Sequence, residues 1–262
     1  MTTPQTLDAD AVSAALDADG FAVVPGVLDE AEVKAARERL WATVEESERR
    51  GVPTHVPGLD PNASNVRVFN LVDLDALFGR LLEHPVADAI AGRLLGEDYV
   101  VSNITANIAR PGSGSMALHS DQALVHEGPW TQPWSLNVIW CLDDAYGDNG
   151  ATLYVPGSHR YQTRDELPAD LGDRLVPFEA AAGSTVVMEG RLWHTSGANI
   201  TEDKDRPLVF AYYTRSFVRP QFNFTAALRP EVTEKLSKTM RYRLGLNRIL
   251  NKPPEGVVMR RP

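Results

Sequence analysis

The chain has 262 residues, of which 43% are hydrophobic and 23% charged, as in an ordinary soluble globular protein. Its 35 acidic and 26 basic residues give a net charge of −9, which argues against a nucleic-acid-binding surface or a basic membrane patch. No apolar run is long enough to cross a bilayer, and the N-terminal sequence lacks the pattern of a secretory signal. Cys141 is the only cysteine, so an intrachain disulfide and cysteine-rich metal sites are excluded. We expect a cytoplasmic protein with no nucleic-acid or membrane partner.

The first part of the chain, about residues 1–97, is predicted to be largely helical. Asp29 and Glu32 have the spacing of a capping box, which satisfies free N–H groups at the start of a helix. Apolar residues then recur at the spacing of one buried helix face, namely Val33, Ala36, Leu40 and Val44. The same spacing predicts a second helix around Val86, Ile90 and Leu94, and a short strand is predicted over Phe21–Val24.

From about residue 98 to residue 220 the sequence becomes typical of β-structure. The runs YVVSNITANIAR, SLNVIWCL, ATLYV, STVVM and PLVFAYYTRSFV are rich in β-branched and aromatic residues, and Gly, Pro, Asn and Asp cluster between them. Strands without intervening helices predict antiparallel sheets in a sandwich or barrel, with helices outside. Residues 221–262 are predicted to form a C-terminal helical segment, with helix over 231–250. We expect one domain over 1–262, with segments 51–70 and 122–134 lining the mouth of a site.

Two histidines and one aspartate form a possible metal site. A single histidine is usually a surface or hydrogen-bonded residue, but His119 and Asp121 are two positions apart in LHSDQ, which places both side chains on one side of an extended chain. His194, in GRLWHTSGAN, follows a later predicted strand that a jelly roll would bring alongside. Two histidines and one carboxylate form the facial triad of non-haem Fe(II) oxygenases. We interpret His159 as structural and expect solvent exposure for His126.

Arg206 begins a predicted apolar strand twelve residues after His194. A buried guanidinium would suit the remote carboxylate of 2-oxoglutarate, because its planar fork donates two parallel hydrogen bonds and stays charged. A surface ion pair with Asp203 or Asp205 is the alternative.

These motifs, together with GFAVVPGVLDEAEV and DNGATLYVPGSH, resemble those of the phytanoyl-CoA dioxygenase family of Fe(II)/2-oxoglutarate-dependent oxygenases. The resemblance covers most of the chain and implies a double-stranded β-helix, or jelly roll, that uses Fe(II), 2-oxoglutarate and O2. It implies that His119, Asp121 and His194 hold the iron, that Arg206 binds the remote carboxylate, and that further 2-oxoglutarate contacts come from Trp140, Thr152 and Ser196. Each of these last three has an alternative: core packing for Trp140, strand packing for Thr152 and a turn cap for Ser196.

The resemblance also implies the reaction class, which is oxidation, foremost hydroxylation, of an aliphatic C–H in a small organic or natural-product-like substrate, with succinate and CO2 as co-products. Halogenating relatives have a small residue in place of the carboxylate ligand, whereas Asp121 is present here. Aromatic residues could wall an apolar substrate pocket, namely Trp130, Trp134, Phe217, Phe222 and Phe224. An oxygen-independent metal-dependent isomerase or lyase on the same barrel, or a non-catalytic binding barrel, remains an alternative. The sequence predicts neither the substrate nor the oligomeric state.

Overall fold

Antiparallel strands form the centre of the molecule, which the computed structural model describes over residues 8–246. The strands are β1 (Phe21–Val24), β2 (Asn65–Val68), β3 (Val100–Ala109), β4 (Ser135–Cys141), β5 (Thr152–Tyr154), β6 (Val176–Pro177), β7 (Thr185–Glu189), β8 (His194–Ser196) and β9 (Arg206–Thr214). A six-stranded sheet has the order β1-β7-β4-β9-β3-β2, and a three-stranded sheet has the order β6-β5-β8. The predicted fold class, mainly β with flanking helices, is confirmed.

The α-helices lie before β3 and after β9 in the sequence. They are α1 (Ala9–Asp19), α2 (Glu30–Arg49), α3 (Leu71–Leu74), α4 (Ala76–Leu82), α5 (Pro85–Leu95), α6 (Phe224–Ala227), α7 (Pro230–Thr233) and α8 (Lys238–Arg243). The capping box at the start of α2 is confirmed, because Asp29 and Glu32 exchange two backbone-to-carboxylate hydrogen bonds of 2.9 Å. No helix within residues 8–246 is long and apolar enough to cross a membrane.

The helix predicted over 231–250 is present but interrupted in the part of it that the structure describes. Two short helices, α7 and α8, take its place, and residues 247–250 lie outside the described part. The physical reason is Ser237, whose hydroxyl oxygen accepts a 2.8 Å hydrogen bond from the backbone N–H of Met240 and so begins a new helix.

Alternation along the strands divides the buried residues into two layers. On one face of the large sheet, Leu136, Val138 and Trp140 of β4 pack in one cluster with residues of the helices. On the other face, Ile139 and Cys141 pack in a second cluster with residues near the small sheet, including Ala151 and Phe178. A residue of β4 therefore faces either the helices or the space between the two sheets, according to its parity.

Segment 51–70, expected to line the mouth of the site, contains β2, which pairs with β3 at the edge of the large sheet. Sequence reasoning missed this strand because NVRV is short and follows a turn-rich stretch. The expected proximity to the site is nevertheless found, since Leu59, Arg67 and Phe69 line the cavity described below.

Candidate metal centre and cofactor cavity

His119 and His194 are brought together by backbone pairing between segments far apart in the sequence. They form an antiparallel bridge in which the N–H of each residue donates to the carbonyl oxygen of the other, at 3.0 and 2.8 Å. Their ring centroids are 4.4 Å apart. A register shift of one residue at this bridge would separate the two rings, so the main-chain hydrogen bonds determine the geometry of the pair.

Asp121 completes the group from the turn that follows His119. Its Oδ1 atom lies 3.8 Å from Nε2 of His119. One potential ligand atom from each of His119, Asp121 and His194 falls within 4.8 Å of the other two. In a separate contact, the Oδ2 atom of Asp121 accepts a 2.6 Å hydrogen bond from Nδ2 of Asn137 on β4. The structure therefore places the three predicted ligands close enough together to share one cation.

The histidine rings are oriented for metal binding by backbone carbonyl groups. Nδ1 of His119 lies 2.8 Å from the carbonyl oxygen of Ala117, and Nδ1 of His194 lies 2.9 Å from that of Leu192. Because a carbonyl oxygen only accepts, Nδ1 of each ring carries the proton and Nε2 keeps a free lone pair. Burial lowers the pKa of His194, which favours the neutral ring that a metal requires.

Arg206, the first residue of β9, is a fully buried cation. Only 1% of the residue is exposed, and Nη1 donates to the carbonyl oxygen of Asn107 at 3.2 Å. Nε has no hydrogen-bond partner within the described residues. The alternative, a surface ion pair with Asp203 or Asp205, is not found, because Arg206 is buried. Oδ1 of Asp205 instead lies 3.9 Å from Nε of Arg110. Burial lowers the pKa of Arg206 to about 10, so the guanidinium remains charged at neutral pH and requires an anionic partner.

One cavity of about 220 Å³ joins the triad to Arg206. Thr152 and Ser196, both predicted to contact 2-oxoglutarate, also line it. Ser196 Oγ accepts a 3.0 Å hydrogen bond from the N–H of Met116, which leaves its own proton free to donate. The remaining lining residues are Leu59, Arg67, Phe69, Asn103, Thr105, Asn107, Met116, Asn137, Thr195, Phe210, Tyr212 and Gln221.

Trp140 does not line this cavity. Its ring is fully buried among the helices and meets His84 edge-on, with the ring centroids 5.1 Å apart. Its position on β4 has the parity of Leu136 and Val138, which face the helices, whereas Asn137 faces the cavity. Of the two interpretations of Trp140, the structure therefore supports core packing over contact with 2-oxoglutarate.

The aromatic residues expected to wall the substrate pocket also lie elsewhere. Trp130 packs against Trp193 in a separate buried cluster, and Trp134 packs between His126 and Phe217. The cavity instead uses Phe69, Phe210 and Tyr212, and no residue of segment 122–134 contributes to its lining. His159 has the predicted structural role, since its ring lies against Gly20 and its Nε2 is 3.2 Å from the carbonyl oxygen of Asp17.

Sequence reasoning also missed the neutral polar side chains of the cavity, of which Asn103, Asn107 and Asn137 are examples. The available signal was an amide side chain inside an otherwise apolar strand, as in SLNVIWCL.

The chain is similar to known proteins in both sequence and fold. Residues 16–208 match the sequence profile of the phytanoyl-CoA dioxygenase (PhyH) family. Dioxygenase af480 of Aspergillus fumigatus is 49% identical over 244 residues, which cover 93% of this chain and 79% of that protein. HygX from Streptomyces hygroscopicus, solved with nickel and 2-oxoglutarate bound, has a TM-score of 0.65 at 19% identity, covering 80% of this chain and 88% of HygX. AviO1 from Streptomyces viridochromogenes Tue57 also has a TM-score of 0.65, at 24% identity, covering 82% of this chain and 99% of AviO1. The chain therefore belongs to the phytanoyl-CoA dioxygenase family of Fe(II)/2-oxoglutarate-dependent oxygenases.

Proposed function

We propose that the protein hydroxylates an aliphatic C–H of a small organic molecule, using Fe(II), 2-oxoglutarate and O2. The observation that carries the proposal is one cavity holding both a two-histidine, one-carboxylate group and a buried guanidinium for which residues 8–246 supply no counterion. This donor set suits Fe(II) and leaves coordination positions for a chelating co-substrate. The orphaned Nε of Arg206 suits the remote carboxylate of that co-substrate. The nickel and 2-oxoglutarate in HygX, a protein of the same fold, support the proposal.

Each residue has a defined task in this proposal. With Fe(II) bound, 2-oxoglutarate and O2 together supply an oxidant able to attack a C–H bond, and succinate and CO2 are the co-products. His119, Asp121 and His194 hold the metal through Nε2, Oδ1 and Nε2. Arg206 and the hydroxyl groups of Thr152 and Ser196 hold the carboxylates of 2-oxoglutarate. This anchoring orients the reacting groups and excludes water from the inner end of the cavity.

The charges around the cavity favour a neutral substrate. Arg67 is already paired with Asp60 at 2.7 Å, so its charge is compensated. The net positive charge of Fe(II), Asp121 and Arg206 would be balanced by the two negative charges of 2-oxoglutarate. A charged substrate group would then be desolvated without a counterion, which is unfavourable. The other walls near the opening are apolar or neutral amides, including Phe69, Asn103 and Gln221.

The two rival functions account less well for Arg206. An oxygen-independent isomerase or lyase, or a non-catalytic barrel, has no use for a buried cation at the inner end of a metal cavity, and burying one without a partner is costly. Asp121 occupies the ligand position that a halide would need, so we expect oxygenation rather than halogenation. A cytoplasmic location and a single domain over 1–262 stay predictions.

The test is turnover of a compound library under labelled dioxygen. The Fe(II)-loaded protein receives 2-oxoglutarate, ¹⁸O₂, excess chloride and neutral aliphatic compounds, each paired with its carboxylic-acid analogue. We expect succinate formation and products that carry ¹⁸O, with neutral compounds preferred over their acids. A chlorinated main product, turnover without oxygen, or a preference for the acids would contradict the respective part of the proposal.

A further inference from the structure

The two oxygen atoms of the Asp121 carboxylate have different surroundings. Oδ1 lies on the side of the histidine rings, 3.8 Å from Nε2 of His119. Oδ2 accepts the 2.6 Å hydrogen bond from the amide of Asn137. A carboxylate with two free oxygen atoms can bind a metal through one or both of them, whereas here one oxygen is already engaged by a donor.

Asn137 is a rigid donor, in contrast to the turn that carries Asp121. It lies in the middle of β4, which is paired on both sides: Asn137 is opposite Met188 of β7 and opposite Tyr212 of β9. Only 6% of Asn137 is exposed. Asp121 is outside the regular strands, in the turn that follows the bridge between His119 and His194. The hydrogen bond therefore ties a candidate metal ligand on a turn to a strand that is paired on both sides.

We propose that Asn137 is a positioning residue that reserves Oδ2 of Asp121, so that this carboxylate binds the metal through Oδ1 alone. A carboxylate held in this way occupies one coordination position and leaves the others for 2-oxoglutarate and oxygen. The inference rests on the metal site proposed above. It goes further by assigning a role in metal coordination to a residue that does not itself contact the metal.

A purely structural role is the competing explanation. A buried amide needs hydrogen-bond partners, and Asp121 would serve as one even if the metal did not depend on it. The two explanations differ in what the loss of the amide does to metal binding in a protein that is still folded.

The experiment uses Co(II), whose visible absorption bands report coordination number and geometry without turnover. Asn137→Ala is compared with a matched control, Asn103→Ala, which also removes an amide next to Tyr212. Tyr212 of β9 pairs with Asn103 of β3 on one side and with Asn137 of β4 on the other. Asn103 donates to Gln221 and not to Asp121. Asn137→Leu has nearly the original side-chain volume without a donor, and Asn137→Gln keeps the amide.

We expect Asn137→Ala and Asn137→Leu to bind Co(II) roughly 10–100-fold more weakly than the unmodified chain and with altered absorption bands, as is typical when the hydrogen-bond partner of a ligand is lost. Asn103→Ala should retain the original affinity and spectrum, and Asn137→Gln should recover part of both. If either donorless variant is folded and binds Co(II) with the original affinity and spectrum, the inference is wrong. Failure of the unmodified chain to bind Co(II) would instead overturn the metal site itself.

Discussion

Replacing Arg206 with methionine removes the buried charge while filling most of the space. If 2-oxoglutarate binds as proposed, its remote carboxylate is then left buried without a partner. Truncating one member of a buried charged pair typically costs about 2–5 kcal/mol. At about 1.4 kcal/mol per factor of ten, the dissociation constant rises roughly 30-fold to several thousandfold. We expect the upper part of this range, because Arg67, the other arginine of the cavity, is held by Asp60.

The assay is calorimetric titration of 2-oxoglutarate into the Ni(II)-loaded protein, with no turnover to complicate the signal. Arg206→Lys serves as the matched control: it keeps the charge but not the fork, so its affinity should fall between those of Arg206→Met and the unmodified chain. The metal-free Arg206→Met protein should be as stable as the unmodified chain or more stable, since an uncompensated buried cation has been removed. Unchanged 2-oxoglutarate affinity in Arg206→Met would refute the assignment.

Four further outcomes are expected. His119→Ala and His194→Ala should each weaken Ni(II) binding by more than the roughly 10–100-fold typical of a lost outer partner, whereas His126→Ala should bind Ni(II) normally in the same titration. Trp140→Ala should lower the free energy of unfolding by about 3–5 kcal/mol in chemical denaturation, while the folded protein keeps its 2-oxoglutarate affinity; a selective loss of that affinity would restore the cofactor-contact interpretation. Ni(II)-loaded protein with 2-oxoglutarate at about 100 times its dissociation constant should gain roughly 2.7 kcal/mol in unfolding free energy, measured as a rise in Tm. Burial lowers the pKa of His84 below its usual 6.5, against the opposing charge of Glu32. The unfolded chain therefore binds this proton more readily, so the contribution of His84 to stability is lost as the pH falls through about 6.5. His84→Asn, which can still cap α5, should remove that part of the decline in denaturation curves recorded across this pH range.

The metal ligands could be predicted because their chemistry and their spacing agree. His119 and Asp121 are close in sequence. His194 follows a later predicted strand, which a jelly roll would place beside the earlier one. The structure differs in one detail: His119 lies in an isolated bridge and Asp121 in a turn, so they do not share one extended strand. Arg206 alone would have suggested a surface ion pair with Asp203 or Asp205, and it could be located only because it starts an apolar strand twelve residues after His194.

The walls of the cavity could not be predicted, because they depend on strand parity and register. Trp140 and Asn137 are three residues apart on β4, and only the pairing of that strand decides which side chain faces the metal. Aromatic residues of the connecting segments, such as Trp130, were equally suited to a pocket or to a core, and composition does not separate the two. The helix predicted over 231–250 is interrupted for a local reason, since Ser237 caps the start of a second helix.

Cys141 gives the protein a sulfur atom that is protected from the oxygen chemistry beside it. Burial between the sheets raises the pKa of this thiol to about 12, although the charge of Arg206 opposes the shift. Peroxides and alkylating reagents attack thiolates that they can reach, and this thiol is neither ionised nor accessible. We therefore expect Cys141 to stay reduced when the folded protein is exposed to peroxide. Iodoacetamide can reach this sulfur only when the two sheets separate. The rate at which iodoacetamide alkylates Cys141 therefore measures how often the two sheets open.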